Sequence, residues 1–173
     1  MTREQIDPEH WRLTFTEPEA LFIINVLAQL GRHYQEDVAK MPPALRAYWQ
    51  GKISDGAVRP GDELNEAQET LVEARAELRS ERLNLVDNWI RSFELAEDRD
   101  PWVVELTNDE RDEFVAMLND RRLHLAFQSG ITEHDMEMDP DEIELEERRH
   151  TVLEIDILGG FIMIILGPQF NRP

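Results

Sequence analysis

The chain has no cysteine among its 173 residues, which removes disulfides, thiolate metal sites and thiol redox switches together. Basic residues are scarce: 18 Lys and Arg stand against 37 Asp and Glu, for a net charge of -19. A field of that sign repels phosphate backbones and anionic lipid headgroups, so direct nucleic-acid binding is disfavoured. Long apolar runs are missing too. The longest, Ile157 to Leu166, contains Gly159 and Gly160, follows Glu154 and Asp156, and is about half a membrane span. Met1 to Gln5 contain no apolar stretch of a secretory signal, and the expected location is cytoplasmic. Neither a Gly-rich phosphate loop nor a Gly-x-Ser-x-Gly elbow occurs, and no cofactor is implied.

What is present reads as one mainly α-helical domain over residues 1–173, of about five helices. The stretch from Thr107 to Ile131 organises the reading. Thr107 and Glu110 have the spacing of a reciprocal capping box, and Gly130 supplies a left-handed stop. Between them Phe114, Met117, Leu118, Arg121 or Arg122, and Leu125 recur at helical spacing. Thr16, Pro18 and Glu19 repeat the cap logic before a helix rich in apolar residues, Leu21 to Leu30, ending near Lys40. Each cap follows a short extended run, Trp11-Phe15 and Trp102-Leu106. Either the two pair into a two-stranded β-ribbon holding both helices, or they are two common helix starts that happen to look alike.

Ala44 to Gln50 suggests a short helix, and Ser54 to Gly61 a loop. Residues 62–98 then read as one long helix. Leu64, Leu71, Leu78 and Leu85 recur every seven residues, but Ala67, Ala74, Glu81 and Asn88 occupy the other seam positions, which leaves half a coiled-coil seam. The first part is expected to protrude as an arm, or to form a hairpin with the preceding short helix. Leu64, Leu71 and Leu78 are the candidate partner surface, and a homodimer through them is one expectation.

The run Leu118-Asn119-Asp120-Arg121-Arg122-Leu123, followed by Ser129-Gly130-Ile131-Thr132, resembles an uncharacterised bacterial domain-of-unknown-function family best represented in actinobacteria. The likeness extends to the Thr16–Leu30 helix and the C-terminal apolar segment, but not to Asp62–Asp98. The resemblance implies a regulatory role: the family includes an actinomycete oxidative-stress regulator, and its genes often neighbour that of a protease adaptor. That regulator's sensing is attributed to cysteines, which this chain lacks, so the sensing chemistry does not carry over.

Residues 133–147 are densely acidic, from Glu133 to Glu147. A cation site is one reading, a solvated connection the other, and the spacing does not match an EF-hand loop. The segment from Val152 to Leu166 reads either as a hairpin turning at Gly159-Gly160, or as a helix begun at Asp139 with Ile155, Leu158, Phe161, Ile162 and Ile165 inward. The resemblance implies the helix. On that helix Asp156, between Ile155 and Ile157, is expected to be buried and to need a partner. Arg122, four residues after Leu118 and three before Leu125, is the nominated one, with Asn119 as a further donor.

Glu147 and His150 have the Glu-x-x-His spacing of half a two-metal site, but no second Glu-x-x-His occurs. Two function classes follow: a non-enzymatic regulator or adaptor working through an unknown protein partner, and a carboxylate/histidine metal-dependent enzyme. The charge yields the first test. In a mobility-shift assay at physiological salt the protein alone should leave duplex DNA unshifted up to micromolar concentration; a salt-sensitive shift without a partner would overturn this.

Overall fold

Two threonines each end a strand and start a helix, and that repeated joint sets the architecture. β2 (His10–Phe15) and β3 (Trp102–Thr107) pair antiparallel with Trp11 opposite Leu106 and Phe15 opposite Trp102. From them spring α1 (Glu17–Gln35) and α4 (Asn108–Ser129). Glu19 accepts the Thr16 N–H at 2.8 Å, and Glu110 accepts the Thr107 N–H at 2.8 Å while the Thr107 hydroxyl accepts from the Glu110 N–H at 3.2 Å. The ribbon is three-stranded, not two: β1 (Thr2–Gln5) adds on the far side of β2, in the order β1-β2-β3. Its polar sequence TREQ carries no apolar alternation, so the extra strand had no sequence signal.

The computed structural model describes residues 1–50, 62–94 and 101–167. The remaining elements are α2 (Pro43–Trp49), α3 (Asp62–Glu94), α5 (Glu133–Glu137) and α6 (Glu146–Leu166). The expected loop at 54–61, the tail of the expected arm at 95–98 and the Leu64 side chain lie outside the described residues.

α1 and α3 run antiparallel. Phe15, just before α1, meets Phe93 edge-on at 5.2 Å, Gly31 faces Val86, and Arg79 donates to the carbonyls of His33, Tyr34 and Glu36 at 2.7–2.9 Å. These carbonyls stand at the C-terminus of α1, where that of His33 also accepts the Glu36 N–H at 3.2 Å, and a guanidinium there complements the helix dipole. α1 ends at Gln35, earlier than expected from sequence, because Asp37 then caps a 3-10 turn over Val38–Lys40. Since Arg79 is level with the end of α1, residues 62–78 run on past it for about 25 Å at the helical rise of 1.5 Å per residue. In that extension Leu71 and Val72 are exposed and Leu78 is half-buried, while Arg75 lies over the Tyr48 ring of α2, 4.9 Å from its centroid.

α6 packs along α4 as one helix, so Gly159-Gly160 makes no turn. Ile155, Leu158, Phe161 and Ile165 are buried, as expected of the helical reading. The helix begins at Glu146, not Asp139. Asp139 instead caps a 3-10 turn, Pro140–Glu142, after which Ile143 is extended (φ -78°, ψ 111°) with its side chain buried. At the other end, Gly167 (φ 76°) stops α6, and a Cβ there would collide with the Arg3 guanidinium, which donates to the Ile165 carbonyl at 2.9 Å. Leu13, Phe15, Ile23, Leu27, Phe93, Phe114, Leu118 and Leu158 form the centre of the apolar core, all at most 1 % exposed. Among the described residues no helix is long and apolar enough to cross a membrane.

Candidate functional site

α4 carries polar side chains into the interior that its apolar pattern does not announce. Its buried residues are Phe114, Met117, Leu118, Asp120, Arg121, His124 and Leu125. At about 100° per residue these cover an arc of about 160° centred between Met117 and Arg121, and Arg122 falls about 40° outside it. Leu118 and Leu125 are thus one edge of a wide buried face, the edge against α6. The other edge, facing α1, α2 and α3, is polar.

Asp120 is the centre of that polar edge, at 5 % exposure. Its carboxylate accepts the Tyr34 hydroxyl of α1 at 2.8 Å, the Tyr48 hydroxyl of α2 at 3.0 Å and the Arg82 guanidinium of α3 at 2.5 Å. Arg82, itself 6 % exposed, also donates to Glu113 at 3.2 Å, one side of α4 thereby holding both ends of its fork. Burial and the neighbouring Asp120 charge raise the pKa of both tyrosines, so each stays a neutral donor. Trp49 closes the cluster, edge-on to Tyr34 at 6.0 Å and beneath Arg79 at 5.3 Å.

A second group lies one turn further along α4. The His33 and His124 rings stack with centroids 3.4 Å apart and planes 8° off parallel. Arg121 reaches His33 Nε2 at 3.4 Å and pairs with Glu154 of α6 at 2.8 Å. Burial first, then His124, Arg121 and Arg32, push His33 down to about 3. Burial and Arg121 take His124 down to about 4. Both rings are therefore neutral near neutral pH, and a neutral stacked pair tolerates the arginine that a charged pair would repel.

The nominated pair of Arg122 and Asp156 does not form. Asp156 is exposed and makes no ion pair among the described residues, for the buried stripe of α6 is narrow and even Ile157 beside it is 47 % exposed. Apolar neighbours in sequence were no measure of burial. The Arg122 guanidinium instead lies over Gly159, 3.7 Å from where a Cβ would stand, and its Nε has no partner among the described residues. Asn119 is exposed; with Arg122 it borders a cavity of about 250 Å³ that Asp156 does not line. The ion pair between α4 and α6 is Arg121 with Glu154, one position and two positions away from those expected.

Glu147 and His150 are both exposed on the first turns of α6. Among the described residues no three His, Asp or Glu side chains gather as a metal ion requires. In the acidic 133–147 segment, Asp135 is engaged by Thr132 in a third capping box and by Arg148 at 2.7 Å, and these hydrogen bonds hold its carboxyl well below the usual range. No protein-family model, no curated protein and no solved structure matches the chain.

Two tests follow from this interior. Asp120→Ala leaves a buried arginine, the buried Tyr34 hydroxyl and the half-buried Tyr48 hydroxyl without their acceptor, and loss of one partner of such a pair costs about 3–5 kcal/mol. The exposed Asp156→Ala should stay within about 0.5 kcal/mol of the parent. Equal denaturant midpoints for the two variants would refute the account. The second test concerns pH. Unfolded imidazoles take up protons below about 6.5, whereas the folded pair resists to about 4 and about 3. Stability is thus full above the unfolded value and is lost as pH falls toward the folded ones. Melting temperature should drop in the upper part of that window, before carboxylates titrate, and the drop should flatten in a His33→Gln/His124→Phe double variant; an unchanged slope would show that the pair does not contribute.

Proposed function

We propose that the chain is a non-enzymatic cytoplasmic regulator or adaptor that works through protein contacts. The observation that carries this reading is the outer face of α6. Leu153, Ile157 and Ile164 recur along it at spacings of four and seven residues, 38 %, 47 % and 40 % exposed, with Met163 beside them at 62 %. From Ile157 to Gly167 there is no charged residue, in a chain where Asp and Glu number 37. A contiguous apolar face on an otherwise strongly charged molecule marks a contact surface, since each side chain left in water forgoes its burial energy. The extension of α3 supports the same reading through Leu71 and Leu78, a thin seam open to a partner helix or to a second copy of the chain. The resemblance of the Leu118–Leu123 run to a family that includes a stress regulator points the same way. For the metal-enzyme reading, Glu147 and His150 have no third ligand gathered beside them among the described residues, and no observation favours it.

The test is affinity capture from the native host, run in parallel with the parent chain and an Ile157→Glu/Ile164→Glu variant whose melting temperature is unchanged. A protein retained by the parent in stoichiometric amount and lost from the variant is expected. Identical captures from both would remove the α6 face from the account.

A further inference from the structure

The second unpartnered feature is the outer edge of the sheet. In the order β1-β2-β3, β3 is an edge strand. The Asn108 N–H donates to the Glu9 carbonyl at 3.0 Å, which fixes the alternation of the antiparallel ladder: Leu106, Val104 and Trp102 turn their N–H and C=O groups to β2. Val103, Glu105 and Thr107 turn theirs outward. The Thr107 N–H is taken by Glu110, so among the described residues Val103 and Glu105 remain with two donors and two acceptors on the open edge.

Beside that edge is a cavity of about 230 Å³, lined by Leu85 and Trp89 of α3 and by Val104 and Leu106, with Asp109 and Glu113 of α4 at its border. The volume suits one or two apolar side chains and is below the size of most small-molecule pockets. On the opposite face of the sheet, charges alternate from strand to strand: Glu4 is opposite Arg12, and Arg12 is opposite Glu105, with side-chain separations of 3.6 and 2.6 Å. The next strand in that row would complete it with a base. Asp109, exposed and without an ion pair among the described residues, adds a negative charge at the cavity border.

We infer that the open edge of β3 and its cavity bind an extended peptide segment of a partner protein, with apolar and basic side chains alternating along it. The backbone of the segment adds a fourth strand at Val103 and Glu105; one set of side chains fills the cavity, and the other carries the cations opposite Glu105. Charge decides against a second copy as occupant, because a two-fold pairing of β3 edges would bring Glu105 and Asp109 against their equivalents. The inference rests on the reading of the chain as a protein-contact module and names the chemistry of one contact.

The test uses the full chain and a fluorescein-labelled Lys-Leu-Lys-Val-Lys-Leu-Lys peptide, followed by anisotropy. Saturable binding is expected, with little binding of the Glu-Leu-Glu-Val-Glu-Leu-Glu counterpart. Two backbone-methylated peptides separate strand addition from charge attraction: methylation of the Lys nitrogens and of the Leu and Val nitrogens block opposite edges of the strand. One of the two should lose about tenfold in affinity and the other little. On the protein, Val103→Pro removes only an outward N–H, a substitution that edge strands accept, and should weaken the peptide by a similar factor. If both methylated peptides bind as the parent does, the attraction is charge alone and the inference fails. Absence of saturation also overturns it, as does self-association of the chain that Val103→Pro abolishes. Host capture that still depends on Ile157 and Ile164 while the peptide fails would locate the error in this groove and leave the protein-contact reading standing.

Discussion

Asp120 is where four helices agree on their positions. Its carboxylate, on α4, takes donors from α1, α2 and α3 through Tyr34, Tyr48 and Arg82, and each bond fixes a different helix against the same two oxygens. Burial of an ion pair is costly, since desolvation offsets much of the Coulomb attraction, and apolar residues of similar volume often stabilise as well or better. What the arrangement supplies is direction. An apolar contact tolerates a helix slipping or rotating by a few ångströms, whereas three hydrogen bonds at 2.5–3.0 Å with the donors on three separate helices do not. Arg79 acts alongside, one turn earlier on α3: it fastens the end of α1 through three carbonyls, so the register of α1 against α3 is specified by hydrogen bonds as well as by Phe15 and Phe93.

This division explains which parts of the fold were legible in the sequence. Caps are local chemistry: Thr16 with Glu19 and Thr107 with Glu110 act within four residues, so the helix starts and the strands before them could be read, and the likeness of those strands offered their pairing as one of two readings. The polar interior is non-local. Tyr34 and Asp120 are 86 residues apart, and nothing near either announces the other. The periodicity argument also favoured the apolar edge of α4, since a helix buried on two sides has a wider inward face than its leucines mark. Arg121 was left as an alternative to Arg122 on that face for this reason, Arg122 was then taken as interior, and Asp120 and His124 were assigned no place. The signal that was available is the density of polar residues whose neighbours three and four positions away are mostly apolar: Asp120 has Ala116, Met117 and Leu123 there, and Arg121 has Met117, Leu118 and Leu125.

The charge of the molecule and its exposed apolar surface constrain each other. At -19 net charge, two copies repel at long range, which protects a chain that leaves Leu153, Ile157, Met163 and Ile164 in water. Salt screens that repulsion over about 8 Å at physiological ionic strength, so the protection is weakest where it is most needed, in close approach. The local pattern then matters more than the total. The α6 face has no charge from Ile157 to Gly167 to oppose a partner, while the β3 edge has Glu105 and Asp109 beside its outward backbone groups.

The same reasoning separates the two surfaces in what they can discriminate. An uncharged apolar face accepts any complementary apolar surface and sorts partners by shape alone, with affinity set by the area it covers. An edge strand bordered by acids excludes its own kind through like-charge cost and admits a strand of opposite sign, because backbone hydrogen bonding is indifferent to sequence and the charges supply the selection. A chain with one surface of each sort can hold a partner by area and choose it by sign. The Asp120 cluster connects this division to the fold: Arg82, which ties α3 to Asp120, also donates to Glu113 at the border of the β3 cavity. The buried carboxylate that sets the helix positions therefore also sets where one of the cavity's border charges stands.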